Sequence, residues 1–365
     1  MHPAPPDISL ARGTAREACA QAYARWGYAG GIAPGDEVLC AHRGRELVGL
    51  VRLAPEHATP VLRGMQVAPH ARGTGVGRTL LHAAVRVLGG RACHCMPYSH
   101  LARFYASAGF RASAPEAAPA FLRERLRQSL SEGLEVCLMR RPGEAGRAGL
   151  RIDADALQRL VPVSRKFGFD RGGPVDRYYI ERFLAAHAGD VRGAVVEIGD
   201  DHYTRRFGGD DRTSMDVLDR DRSNPRATIV ADLARAPEIA DGRFDCVICT
   251  QTLMFVYPVQ AAAATLQRIL RPGGVALVTL AGISQIVRDD MDHGGDWWRF
   301  TAASARRLFD DAFAGGDVAV RSHGNALAAI AFLHGLGMQD VDVEDLDIHD
   351  PDYQMLVTVR ARKAT

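Results

Sequence analysis

The sequence predicts two α/β units in series: a mixed, largely antiparallel sheet with helices, then a larger unit alternating strands and helices on a mostly parallel sheet. Three observations predict this. A glycine-rich turn, Arg72-Gly-Thr-Gly-Val-Gly77, follows a strand-like run at 61–67. An acidic turn, Gly199-Asp-Asp201, follows a second strand-like run, Val195-Val-Glu-Ile198. Between them Arg141-Pro-Gly-Glu-Ala-Gly-Arg-Ala-Gly149 carries three glycines, a proline and no apolar period, which reads as a linker. A chain of 365 residues exceeds what one core usually serves, so two domains are expected at 1–142 and 156–365 with a linker at 143–155.

The elements follow in order. Residues 15–26 suit a helix; 37–41, 47–53 and 61–67 suit neighbouring antiparallel strands, with a turn at Arg43-Gly-Arg-Glu46. Val76, Leu80, Leu81, Val85 and Leu88 recur on one face, so 77–88 is a helix. A strand at 91–96, a helix at 101–107, a helical stretch at 113–131 and a last strand at 134–139 complete the first unit. In the second, strand-like runs at 194–198, 214–218, 227–231, 244–249 and 274–280 alternate with helical stretches. Runs at 317–321 and 354–360 complete the sheet as an antiparallel end.

Composition excludes several classes of function. Hydrophobic content of 47% and charged content of 24% are ordinary for a globular protein. A net charge of +2 gives no reason to expect nucleic acid or an anionic membrane as partner. No apolar run is long enough to span a bilayer, and Met1-His-Pro-Ala-Pro-Pro6 has no apolar signal core. Seven scattered cysteines suit reduced thiols and a cytoplasmic location. Cys93-His-Cys95 has no second ligand pair at zinc-site spacing, so no metal is expected; its thiols are read as sharing one strand face.

The first turn suits an anion. Glycines 73, 75 and 77 open a helix after a strand, where unpaired N–H groups and the helix dipole hold negative charge. Arg72 adds a charge-assisted donor. The longer segment from Met65 through this turn to Leu81 resembles the acetyl-CoA motif of the GNAT N-acetyltransferases. Tyr98 to Phe110, with its Phe-Tyr-x-x-x-Gly-Phe ending, is similar to that family's closing helix. The resemblance covers about residues 8–140. It implies that the backbone of Gly73, Thr74, Gly75, Val76 and Gly77 holds the pyrophosphate of acetyl-CoA, with Arg72 beside it. It also implies that the backbone at Met65 and Val67 pairs with the pantetheine arm, and that Tyr105 protonates the leaving thiolate. Packed aromatic core is the alternative for Tyr105. The chain departs from the family with Ser99 in place of an Asn, and with no Glu on the 61–67 strand; Glu56 and His57 are the candidate bases.

The second turn has a different chemistry. Its carboxylates disfavour phosphate and suit either helix capping or a cationic cofactor. Glu197, Gly199 and Asp200 lie at this turn, Asp219 and Asp221 at the end of the next strand, Asp232 and Leu233 after the third, and Thr250 and Gln251 at the exit of the fourth. With Leu270-Arg-Pro-Gly-Gly274 and the Phe244-Asp245 strand, this series is similar to class I S-adenosylmethionine-dependent methyltransferases over about residues 160–362. The resemblance implies a Rossmann-like seven-stranded domain that binds S-adenosyl-L-methionine through those residues. Asp201 replaces the second glycine of the family's loop, and the ribose contact stays open between Asp219 and Asp221. His293 and Asp296, in the polar segment before Trp297 and Trp298, are candidate bases, and the tryptophans are candidates to stack on a sugar or ring.

The expected function is therefore bifunctional tailoring of a small molecule or saccharide, by N-acetyl transfer and O- or N-methyl transfer. The alternative keeps only the methyltransferase active, with the GNAT-like half as a binding module.

Overall fold

The computed structural model describes residues 5–143 and 160–365, which form two compact units. The first unit also takes residues 343–352, which the sequence assigned to the second. The linker expected at 143–155 lies, apart from Gly143, outside the described residues.

The first unit is an eight-stranded mixed sheet. Its strands are β1 (Asp7–Leu10), β2 (Glu37–Arg43), β3 (Glu46–Glu56), β4 (Thr59–Val67), β5 (Cys93–Cys95), β6 (Arg111–Ala112), β7 (Met139–Arg141) and β14 (Ile348–His349). They lie in the order β14-β1-β2-β3-β4-β5-β7-β6. The helix Val76–Leu88 buries Leu80, Leu81 and Leu88 against this sheet, in one core with Leu39, Val51 and Cys93. Cys93 and Cys95 both belong to that core, as thiols sharing one strand face do.

Three expectations for this unit shift. The strand expected at 134–139 forms only at Met139–Arg141, with Val136 making an isolated bridge to Tyr98. Helix occupies Ala120–Ser131 and not 113–119, because Pro115 and Pro119 interrupt the backbone hydrogen bonds before it. β1 and β14 were not expected, being too short to show a period.

The second unit is a seven-stranded sheet of β8 (Gly193–Ile198), β9 (Arg212–Asp219), β10 (Ile229–Val230), β11 (Phe244–Thr250), β12 (Leu270–Ala281), β13 (Asp317–His323) and β15 (Leu356–Arg362). Their order is β10-β9-β8-β11-β12-β15-β13. β15 runs antiparallel to both β12 and β13, while β8 to β12 pair in parallel. Central strands read Val195-Val196 and Val247-Ile248 because both faces are covered, and these side chains are fully buried. The chain order reverses at β8, whose neighbours are β9 and β11, so a crevice opens at the C-terminal ends of these strands.

Candidate functional site

In the second unit a cavity of about 420 Å³ opens at those strand ends, a size suited to a small-molecule ligand. Gly199, Asp219, Asp232, Leu233 and Gln251 are on its wall, at or beside the exits of four strands, β8 to β11. Gly199 has φ +83°, and a Cβ there would meet open space, so backbone conformation and not crowding requires the glycine.

The structure separates the acids of this region. Glu197 is 2% exposed and off the cavity wall. Its carboxylate accepts from the amides of Tyr203 (3.1 Å) and Thr204 (2.7 Å), holding the start of the helix His202–Phe207. Burial pushes its pKa up, against the pull of those donors.

The acidic turn itself is neutralised. Arg226 reaches Asp200 at 2.5 Å, and Arg205 reaches Asp201 at 2.6 Å, holding the Asp201 carboxyl below its ordinary value. The electrostatic reason given for a cation at this turn therefore does not hold. The two acids at the end of β9 take different positions: Asp219 lines the cavity, whereas Asp221 is exposed and closes on the amide and hydroxyl of Ser223 at 2.8 and 2.7 Å.

Asn224 escaped sequence reasoning. Its Nδ2 donates both to the carbonyl of Gly199 (2.8 Å) and to Asp219 Oδ2 (2.7 Å), tying the glycine turn to the acid. The Asn-Pro pair at 224–225 was the available signal, as a turn marker.

Thr250 is absent from the cavity wall, while Gln251 is on it with φ +50°. Asp296 is also off the wall. Both its oxygens accept from Arg299, and one also takes the amide of Val287. Burial raises the Asp296 pKa, but Arg299 outweighs it and the carboxyl lies below its ordinary value, which suits a structural anchor better than a base. The side chain of His293 lies outside the described residues; its backbone ends the helix Arg288–His293. The two tryptophans diverge. Trp297 is half exposed on the wall with its ring 5.1 Å from that of Tyr257, whereas Trp298 donates to the carbonyl of Val256 at 3.1 Å and packs on the core.

In the first unit the glycine turn has the expected form. Gly73 and Gly75 have φ +76° and +89°, and Gly75 precedes the helix Val76–Leu88. Arg72 Nε donates to the carbonyl of Val67 at 3.2 Å. Arg43, also missed from sequence, donates to Thr74 Oγ1 at 2.9 Å and brings a second guanidinium to the turn.

β4 and β5 pair in parallel only at Val61↔His94 and Leu62↔Cys95. Beyond them the β5 side of β4, at Met65 and Val67, has no strand partner among the described residues. The register of β3 against β4 shifts between Leu50 and Arg52, opposite Gly64, which has φ +61°. Tyr23 Oη donates to the carbonyl of Gly64 at 2.7 Å, and its ring lies 4.6 Å from that of Tyr28.

Tyr105 is 8% exposed, edge-on to Phe104 and Phe110. Burial raises its pKa, with Cys95 and Tyr28 adding to the rise, so the phenol keeps its proton at neutral pH. Glu56 is held by Arg63 (2.6 Å) and Arg125 (2.5 Å). Burial raises its pKa, but the two guanidiniums outweigh that and leave it below the ordinary value. His57 packs on Phe121 with ring centroids 4.8 Å apart.

Two family models match the chain: an acetyltransferase (GNAT) domain over residues 34–112 and a methyltransferase domain over residues 189–278. A search of curated proteins found no match. Among solved structures, the chain is similar to an S-adenosylmethionine-dependent methyltransferase from Mesorhizobium loti, with 18% identity and a TM-score of 0.36, over 52% of this chain and 100% of that one. It is also similar to the [4+2]-cyclase SpnF, with 16% identity and a TM-score of 0.34, over 52% of this chain and 82% of that one. For the CurJ carbon methyltransferase the values are 12% and 0.33, over 48% of this chain and 50% of that one, so the match spans half of its length. No helix among the described residues is long and apolar enough to cross a membrane.

Proposed function

We propose, from the premise that this chain joins a GNAT acetyltransferase domain to a class I methyltransferase domain, that it methylates and N-acetylates a small molecule or saccharide. The observation that carries the methyl-transfer half is the cavity at the ends of the parallel strands. Its donor set fits S-adenosyl-L-methionine: carboxylates of Asp219 and Asp232 for hydroxyl and amine donors, and apolar Leu218, Leu233 and Phe255 for a flat base. The first unit fits acetyl-CoA through a glycine turn at a helix N-terminus and an unpaired edge of β4. When bound, these two groups supply an activated methyl and an activated acetyl.

The protein's own part is binding, orientation and proton handling. Asp219 would accept the ribose hydroxyls on lone pairs left over from Asn224 and the Asp221 amide. Gly73, Thr74, Gly75, Val76 and Gly77 would offer backbone amides to a pyrophosphate, with Arg72 and Arg43 beside them. Tyr105 would hold the proton that a leaving thiolate needs. The exposed ring pair of Tyr257 and Trp297 favours an acceptor with a ring face to stack.

One observation favours the narrower alternative, in which only methyl transfer occurs: Glu56 is committed to two arginines, which leaves the first unit without a free carboxylate at that position. Calorimetric titration of the full chain separates the two. Bifunctional action requires saturable heat with both S-adenosylhomocysteine and acetyl-CoA. Heat with the first alone leaves the methyltransferase-only reading, and heat with neither removes both.

A further inference from the structure

The helix Thr14–Arg25 turns Cys19 inward in the first unit, and β2 presents Cys40 to it. Both are buried in one small core with Ala22, Tyr23, Val38 and Leu50. Their sulfurs stand 2.9 Å apart and are not bonded. Non-bonded carbons usually keep about 3.5–4.0 Å and sulfur is larger, so the fold presses these two thiols together. Arg16 secures the approach independently of the sulfurs: it donates to the carbonyls of Ala33 (2.6 Å) and Asp36 (2.7 Å), tying the helix to the loop before β2.

The two thiols are not equivalent. The Cys40 thiol donates to Cys19 and draws its pKa down, against burial, with Arg16 adding to the fall. The same contact, together with burial, raises Cys40. Burial also pushes up Cys93, Cys95, Cys246 and Cys249. Cys19 is thus the nucleophile of the pair, with its partner already in contact. Ala20 and Tyr23, next to Cys19 and one turn beyond it, line an open cavity of about 390 Å³, which brings solvent close to the pair.

We propose that Cys19 and Cys40 are a reversible oxidation site, at which hydrogen peroxide joins the helix Thr14–Arg25 to β2 by a disulfide. The Cys19 thiolate attacks one peroxide oxygen, the O–O bond breaks, and the departing hydroxide takes the proton that Cys19 gave up. The Cys40 sulfur then displaces the oxygen of the Cys19 sulfenic acid, and the Cys40 proton leaves with it as a second water. Two thiols and one peroxide give one disulfide and two waters; the sulfurs lose the two electrons that the peroxide gains. Closure requires the sulfurs to approach by only about 0.9 Å, to a bond of about 2.05 Å. The bond closes a loop over residues 20–39, which carries the whole cavity wall, including Tyr23 and Tyr28. Oxidation therefore fixes this wall, and exchange with a reducing thiol releases it.

The reduced full chain is treated with hydrogen peroxide, blocked with iodoacetamide in urea, and digested with trypsin without reductant. Cleavage after Arg16, Arg25 and Arg43 leaves Cys19 in residues 17–25 and Cys40 in residues 26–43. Mass spectrometry should find these peptides joined, lighter than their sum by two hydrogens, and separated by dithiothreitol. Oxidation should raise the melting temperature of the first unit by roughly 5–10 °C, the shift expected for a loop of this length. Cys19→Ala and Cys40→Ala should each abolish the joined species and the shift. The wild-type digest alone decides the pairing, so a variant that fails to fold does not blur it. The site is overturned if both peptides emerge alkylated, if Cys19 passes to sulfinic acid without a bond, or if either cysteine is joined to Cys93, Cys95 or Cys137 instead. A link that leaves the melting temperature unchanged overturns the fixing of the cavity wall.

Discussion

Asp219 and Asp221 stand two residues apart on one turn, yet only Asp219 is on the cavity wall. Its oxygens already accept from Asn224 and from the Asp221 amide, which fixes the carboxylate before any ligand arrives. Asp219→Ala should therefore weaken S-adenosylhomocysteine binding by about tenfold or more, the loss expected for a hydrogen bond to a charged group. Asp221→Ala should leave it nearly unchanged, since that side chain serves Ser223; equal effects in calorimetry would reject the distinction. Tyr105 offers the second residue-scale test. Burial keeps its phenol protonated, and it sits edge-on between two phenylalanines. Tyr105→Phe preserves that packing and removes only the hydroxyl, so acetyl-transfer turnover should fall while acetyl-CoA affinity stays level. A wild-type turnover number would return Tyr105 to a packing role.

Elements carry the next layer. The β3–β4 turn and the helix Ala120–Ser131 are joined through Glu56, which binds Arg63 on β4 and Arg125 on the helix. Glu56→Gln should destabilise the first unit by about 1 kcal/mol, less than a buried charge-assisted hydrogen bond because the arginines are partly exposed. The sign with pH follows from a folded pKa below the ordinary value. The stabilisation is present above the unfolded pKa of about 4.3 and is lost as pH falls through the lower folded value. Wild type and Glu56→Gln should thus differ in urea midpoint at pH 7 and converge in acid. A gap that persists at pH 2 would mean that the charge is not the cause.

At the scale of the molecule, the chain returns to its first sheet near its end. Ile348 pairs with Ile8 at the sheet edge and is buried in the first core, while Arg86 reaches Asp345 at 3.3 Å. Covering the β1 edge removes a row of unpaired backbone groups that invites association. Ile348→Ala should cost the first unit about 2–5 kcal/mol, the usual range for emptying a buried aliphatic site. Amide exchange should quicken in β1 and β2 and stay unchanged in β11. Uniform quickening, or none, would place Ile348 outside the first unit. A fragment ending near residue 142 lacks this strand, so the division expected from the linker alone leaves the first sheet incomplete.

Local chemistry made much of this legible in the sequence. The glycine turn at 73–77, the helix that follows, and the parallel strands from β8 to β12 depend on backbone conformation and apolar period, which neighbouring residues dictate. The residues at the cavity were legible for the same reason: Gly199, Asp219 and Asp232 mark strand exits. Tertiary structure decided what those residues face. Glu197 and Asp200 look like ligand acids in sequence and Asp296 like a base, and the fold gives each a partner: the helix amides, Arg226 and Arg299. β14 is two residues long and cannot show a period; it is a strand because β1 offers it an edge some 340 residues away in the chain. Cys19 and Cys40 show no signal until the fold sets one sulfur against the other. Period and turn chemistry act over a few residues, whereas burial and charge pairing belong to atoms that only the folded chain brings together.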